Sequence, residues 1–144
     1  VLDALEVLKS MTHRGGVGSE PETGDGAGIL IQMPHVFMQR VCSAEGIALG
    51  DEGSYGVAVV FASPDNEHCA ISIRGLCDII AAQGLQVLGI REIPVNNACV
   101  GKTAAEACPG IHHIFIERPH TATEKVFERL LYIISKTASV ALRQ

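Results

Sequence analysis

Apolar residues recur along this chain with two periods. Leu2, Leu5, Leu8 and Met11 return at three-residue steps with Ala4 on the same side, which predicts an opening helix that stops at the pair Gly15-Gly16. A loop rich in glycine and acids, residues 17 to 28, follows and leads to a short apolar strand, Ile29 to Met33. Pro34 suits a first helical turn, and a helix is expected from His35 to about Glu45 with Val36, Phe37 and Val41 at helical spacing. The period then shortens: in Tyr55 to Phe61, Val57, Val59 and Phe61 alternate and Val60 adds apolar weight, which predicts a strand. Ser63-Pro64-Asp65-Asn66 reads as a turn and cap for a helix from about Glu67 to Gln83, packing Ile71, Leu76, Ile79 and Ile80 and stopped by Gly84. Gln86 to Ile93 and Ile111 to Glu117 are expected as two further strands, separated by a loop that carries Asn96-Asn97. A last helix starts after Thr121 or Thr123 and places Val126, Phe127, Leu130, Leu131 and Ile134 on one stripe. From Tyr55 onward the order strand, helix, strand, strand, helix implies an α+β sheet with those helices on one face.

Composition narrows the classes of function. The 144 residues suit one domain or most of one, and with 47% apolar and 19% charged residues they can build a core and are not disordered. A net charge of -5, with eleven dispersed Lys and Arg, argues against nucleic acid as partner, because a phosphate backbone needs cations gathered on one face. No apolar run reaches the roughly 18 residues of a membrane-spanning helix, and the acidic opening does not read as a secretory signal. Five cysteines without a C-x-x-C pair suggest neither a disulfide framework nor a zinc site, and free thiols in a reducing cytoplasm are the simplest expectation. Helical periodicity is already under way at Val1 without a cap, and the segment ending at Gln144 closes without a Gly or Pro stop, so both ends are expected to be cuts.

Several motifs fail on spacing. In Gly24-Asp25-Gly26-Ala27-Gly28 the strand follows the glycines instead of preceding them and Ile29 stands where a third glycine belongs, so a dinucleotide fingerprint is rejected. Gly101-Lys102-Thr103 lacks the first glycine of a phosphate loop, that place being Asn96. His112 and His113 are neighbours on a strand, so they point to opposite faces and do not form a metal pair; one packed and one exposed imidazole is expected. Cys69 and Cys77 fall near one face of a helix, where a packed thiol is inert, and none of the five cysteines is put forward as a nucleophile. What remains is residues 13 to 31. Arg14 could grip a carboxylate by two parallel hydrogen bonds, Gly15 lets a ligand approach the backbone, and Asp25-Gly26 turns the next segment toward the same place. Spacing alone leaves that reading level with a flexible surface loop.

The run LEVLKSMTHRGGVGSEPETGDGAGILIQMPHVF, residues 5 to 37, resembles the class II glutamine amidotransferase domain of glutamate synthase large subunits. Weaker likenesses continue in order through Tyr55-Gly56-Val57, Leu88 to Arg91, Pro94 to Asn97, Phe115 to Pro119 and Phe127 to Tyr132. The resemblance implies part of a four-layer α/β/β/α N-terminal-nucleophile hydrolase fold, in which an N-terminal cysteine attacks the glutamine amide and its own α-amino group serves as base. It further implies that ammonia passes to 2-oxoglutarate to make glutamate, with FMN and an iron-sulfur cluster in other domains and no cofactor or metal in this segment. Arg14 and Gly15 match the Arg-Gly beside the nucleophile, and Asp25 and Gly26 fall next to the glutamine pocket. By the same likeness the nucleophile, the oxyanion Asn-Gly and later site residues lie outside the segment, so residues 1-144 are expected to be a partial domain and inactive alone. Other synthase domains, and a small subunit or ferredoxin as electron source, are the implied partners, in the cytoplasm or a plastid. The competing reading is a non-catalytic binding or regulatory domain that keeps the scaffold.

Overall fold

A computed structural model describes residues 2-11, 26 and 28-142. Residues group into two units, Val1–Pro34 with Val95–Cys108, and His35–Pro94 with Pro109–Gln144. In the first unit helix α1 covers Leu2–Ser10, and none of its residues is buried. Ala4 and Leu8 are half-buried, whereas Leu2, Leu5 and Met11 of the expected stripe are exposed. The strand expected over Ile29 to Met33 does not form: these residues carry no regular structure, and Leu30 is fully exposed. An apolar run supplies the propensity for a strand, but a strand also needs a bonded neighbour, and residues 29 to 33 form no ladder with any described residue. The loop expected around Asn96-Asn97 contains two short elements, a 3-10 turn at Asn97–Cys99 and helix α4 at Lys102–Glu106.

The second unit carries the core. Helix α2 spans His35–Ala44, strand β1 Tyr55–Ala62, helix α3 Asn66–Ala82, strand β2 Val87–Glu92, strand β3 Gly110–Glu117 and helix α5 Glu124–Ala141. The strands form one antiparallel sheet in the order β1-β3-β2, with Val59 opposite His113 and Arg91 opposite His113 on the other side. This mixed, antiparallel arrangement is of the α+β class.

Helix ends follow from local chemistry. The Asp65 carboxylate accepts hydrogen bonds from the amides of Glu67 (3.1 Å) and His68 (2.9 Å) and so caps α3. Gly84, at φ +72°, closes the same helix: Leu85 N–H bonds to Ile80 O and Gly84 N–H to Ala81 O. The same pair of bonds ends α2, where Gly46 takes φ +75° and Ile47 N–H reaches Cys42 O.

Side chains alternate across β3 and divide the core in two. Ile114 and Ile116 point to α3 and α5, packing with Leu76, Ile80, Leu85, Phe127 and Ile134. Phe115 points the other way, to Met38 and Cys42 of α2 and to Tyr55. Helices α3 and α5 therefore share one face as expected, and α2 covers part of the opposite one. Some expected packing residues lie outside the core: Val36 and Phe37 of α2, Ile71 of α3, Phe61 of β1 and Val126 of α5 are exposed. No helix among the described residues is long and apolar enough to cross a membrane.

Candidate functional site

Arg14, Gly15 and Asp25, the residues singled out beside the expected nucleophile and pocket, lie outside the described residues. Gly26 is described and exposed, with open space where a side chain would begin. Backbone at this position is accessible to an incoming group.

The described residues instead show a line of polar groups on the sheet face that α2 partly covers. His35, at the start of α2, shares a hydrogen bond of 3.0 Å between its Nδ1 and the Tyr55 hydroxyl. Burial, with smaller contributions from Cys42 and Glu52, raises the Tyr55 pKa above its ordinary value, so this phenol stays protonated. Arg91 reaches back from β2 to Glu45, just past α2, and its Nε donates to Oε1 at 2.8 Å. Arg91 is 8% exposed and His113, directly opposite on β3, is 9% exposed. Burial, then the Arg91 charge, lowers the His113 pKa, which holds the imidazole neutral. Its Nδ1 is buried and has no hydrogen-bond partner among the described residues, while the ring meets Phe115 edge-on at 5.8 Å.

This constellation positions backbone and does not supply a nucleophile. Cys42 is 0% exposed, and burial raises its pKa; burial also raises that of Cys77. Thiols in that state are poor attackers. The Cys69 Sγ lies 4.0 Å from Nε2 of His112 across 43 positions of sequence, a proximity that spacing along one helix does not reveal. The expected exposed member of the histidine pair is instead half-buried: Nε2 of His112 faces the first turn of α3, and its Nδ1 is enclosed. Arg91 was also hard to find from sequence, although one cation within the apolar run Val87 to Ile93 marks it. Among the described residues no group of three or more potential metal ligands occurs. The Gly101-Lys102-Thr103 segment opens α4, with Gly101 at its N-cap and Lys102 exposed; Asn96 caps the preceding turn by accepting from Ala98 N–H.

Glutamate synthases resemble this chain along nearly its whole length. The glutamate synthase (NADPH) large chain of Bacillus subtilis is 37% identical over 139 residues, which make up 96% of this chain and 9% of that protein. The chloroplastic/mitochondrial ferredoxin-dependent glutamate synthase 1 of Arabidopsis thaliana is 36% identical over 136 residues, 94% of this chain and 8% of that protein. For glutamate synthase (NADH) of Schizosaccharomyces pombe the identity is 32% over 145 residues, with 96% and 7% covered. The chain therefore spans less than a tenth of the length of these relatives. A family model described as class-II glutamine amidotransferases matches residues 1–144. Matched from its first residue to its last, the chain belongs to the class-II glutamine amidotransferases.

Proposed function

We propose that this chain is part of the glutaminase portion of a glutamate synthase, which hydrolyses glutamine to glutamate and ammonia and passes the ammonia to 2-oxoglutarate. The match of the class-II amidotransferase family to all of residues 1–144 carries this reading. The run His13-Arg14-Gly15-Gly16 followed by Gly24-Asp25-Gly26-Ala27-Gly28 supports it at residue level.

In this reading an N-terminal cysteine thiol, supplied from outside the segment, attacks the side-chain carbonyl carbon of glutamine. Its α-amino group takes the thiol proton and delivers it to the departing ammonia. Water then cleaves the thioester and releases glutamate. Arg14 holds a planar, fixed positive charge beside the thiol, Gly15 leaves room for the chain terminus, and Asp25 and Gly26 line the glutamine pocket. The Arg91–Glu45 ion pair and the Tyr55–His35 hydrogen bond hold α2 and the turn after it against the sheet. The wider architecture is a four-layer α/β/β/α fold of which the three-stranded sheet is one part. FMN and the iron-sulfur cluster belong to other domains, and a small subunit or ferredoxin is the electron source. The enzyme works in the cytoplasm or in a plastid.

Glutamate formation from 2-oxoglutarate by the full polypeptide that carries this segment tests the reading. Glutamine should serve as nitrogen donor, and a glutamine-analogue electrophile that alkylates the thiol should abolish its use while leaving free ammonia usable. A polypeptide that uses ammonia alone, or neither donor, would contradict it.

A further inference from the structure

Two side chains from distant parts of the sequence meet at the start of α3. Cys69 closes the first turn of that helix, its N–H bonded to the Asp65 carbonyl at 2.9 Å, and its Sγ stands 4.0 Å from Nε2 of His112 on β3. The ring lies over the bare backbone of Gly110, where an added Cβ would come within 3.2 Å of Cε1. Nδ1 of the ring is enclosed and has no hydrogen-bond partner among the described residues, so the contact at Nε2 sets the tautomer. An S–H donating to Nε2 leaves the ring proton on Nδ1 and the Nε2 lone pair aimed at the thiol. Cys69 is partly exposed and residues 63 to 68 before it are exposed, so a small molecule can reach the sulfur. Other described thiols are placed differently. Cys42 and Cys77 are kept protonated by burial, and the Cys108 S–H donates to Asn97 Oδ1 at 3.6 Å.

We propose that Cys69 and His112 form a thiol–base pair that exchanges with low-molecular-weight disulfides, which makes Cys69 a site of reversible mixed-disulfide modification. Nε2 takes the Sγ proton while the sulfur attacks one sulfur of the disulfide. A new S–S bond forms, the old one breaks, and the imidazolium returns the proton to the departing thiolate. The Cys69 sulfur is oxidised and the leaving sulfur reduced, so no further oxidant enters. Negative charge developing on sulfur at the start of a 17-residue helix is favoured by the helix dipole. Asp65 and Glu67 in the same turn oppose it, but the Asp65 carboxylate is already engaged by the amides of Glu67 and His68 and by His68 Nδ1 at 2.7 Å. The same two carboxylates favour a neutral or cationic disulfide over an anionic one. Acyl transfer would also need donors aimed at an oxyanion, whereas disulfide exchange needs only the base and the approach that are present. The inference does not depend on glutamine hydrolysis, so either can fail without the other.

Hydroxyethyl disulfide, a neutral probe, tests it on the full polypeptide that carries this segment. Peptide mass spectrometry follows the adduct at each cysteine with time, in native buffer and in urea. Cys69 should be modified at least about tenfold faster in the folded protein than in the unfolded chain, while Cys42 and Cys77 should be slower when folded. His112→Gln should bring the folded rate at Cys69 down to the unfolded one or below. A Cys69 that reacts no faster folded than unfolded would overturn the proposal, whether or not the variant folds. A folded rate untouched by His112→Gln would overturn it as well.

Discussion

Arg91 and His113 sit side by side on β2 and β3, both largely buried, with Glu45 bound to the Arg91 Nε. An imidazolium beside that guanidinium would lack solvent and face a like charge, so the ring remains neutral in the folded protein. The unfolded chain has no such restriction and takes up a proton near the ordinary value of 6.5. His113 therefore leaves stability intact above that pH and erodes it as pH falls from there toward the lowered folded value. Between about pH 7.5 and about pH 5.5 the urea midpoint should drop, and His113→Leu should flatten the drop by removing the titrating ring. Equal slopes for both proteins would show that another group governs the dependence. A buried histidine with an unpartnered nitrogen is not visible in the string His112-His113; only the register with Arg91 makes it so. The sequence does predict that the two rings face opposite ways, because strand geometry fixes that.

The elements show where local pattern suffices and where it does not. β1, α3, β2, β3 and α5 fall within about two residues of the spans that periodicity and caps predict, since long apolar repeats bounded by Pro, Gly or Asp carry both type and limits. Ile29 to Met33 carries an equally apolar pattern and forms no strand, because pattern says nothing about whether a bonding edge is present. The turn at Asn97–Cys99 and the five residues of α4 are too short to generate a period. One contact between elements is legible only in three dimensions: the glycine-ended turn after α2 lays Ile47 over Gly89. A Cβ at Gly89 would meet three atoms of that side chain at 2.7 to 2.9 Å. Ile47 is branched at Cβ and cannot swing clear cheaply, so Gly89→Ala should destabilise the unit by about 1–3 kcal/mol. Adding Ile47→Ala should cost less in that background than in the wild type, as a double-mutant cycle would measure. Additive effects would show that the backbone of β2, and not this contact, demands glycine.

At the scale of the whole molecule, kinship and geometry inform different things. The family assignment was readable from residues 5 to 37, because a long run of specific residues needs no fold to be recognised. The same run holds Arg14, Gly15 and Asp25, whereas the described structure adds the sheet, its α2 cover and the exposed Gly26. The thiol inventory bears on activity: Cys42 and Cys77 are both held protonated by burial. The proposed reading puts the nucleophilic cysteine outside this segment, so residues 1–144 as a separate polypeptide should release no ammonia from glutamine above background, and release that Arg14→Ala abolishes would refute this. The most direct test of the central claim uses the full enzyme that carries this segment, with ammonia release from glutamine compared between wild type and Arg14→Lys. A lysine keeps the charge but cannot form the planar two-pronged contact that the proposed reading assigns to Arg14, so on that reading kcat/KM should fall by at least about tenfold while the fold is retained. Unchanged turnover in that variant would remove Arg14 from the glutamine site and contradict the account.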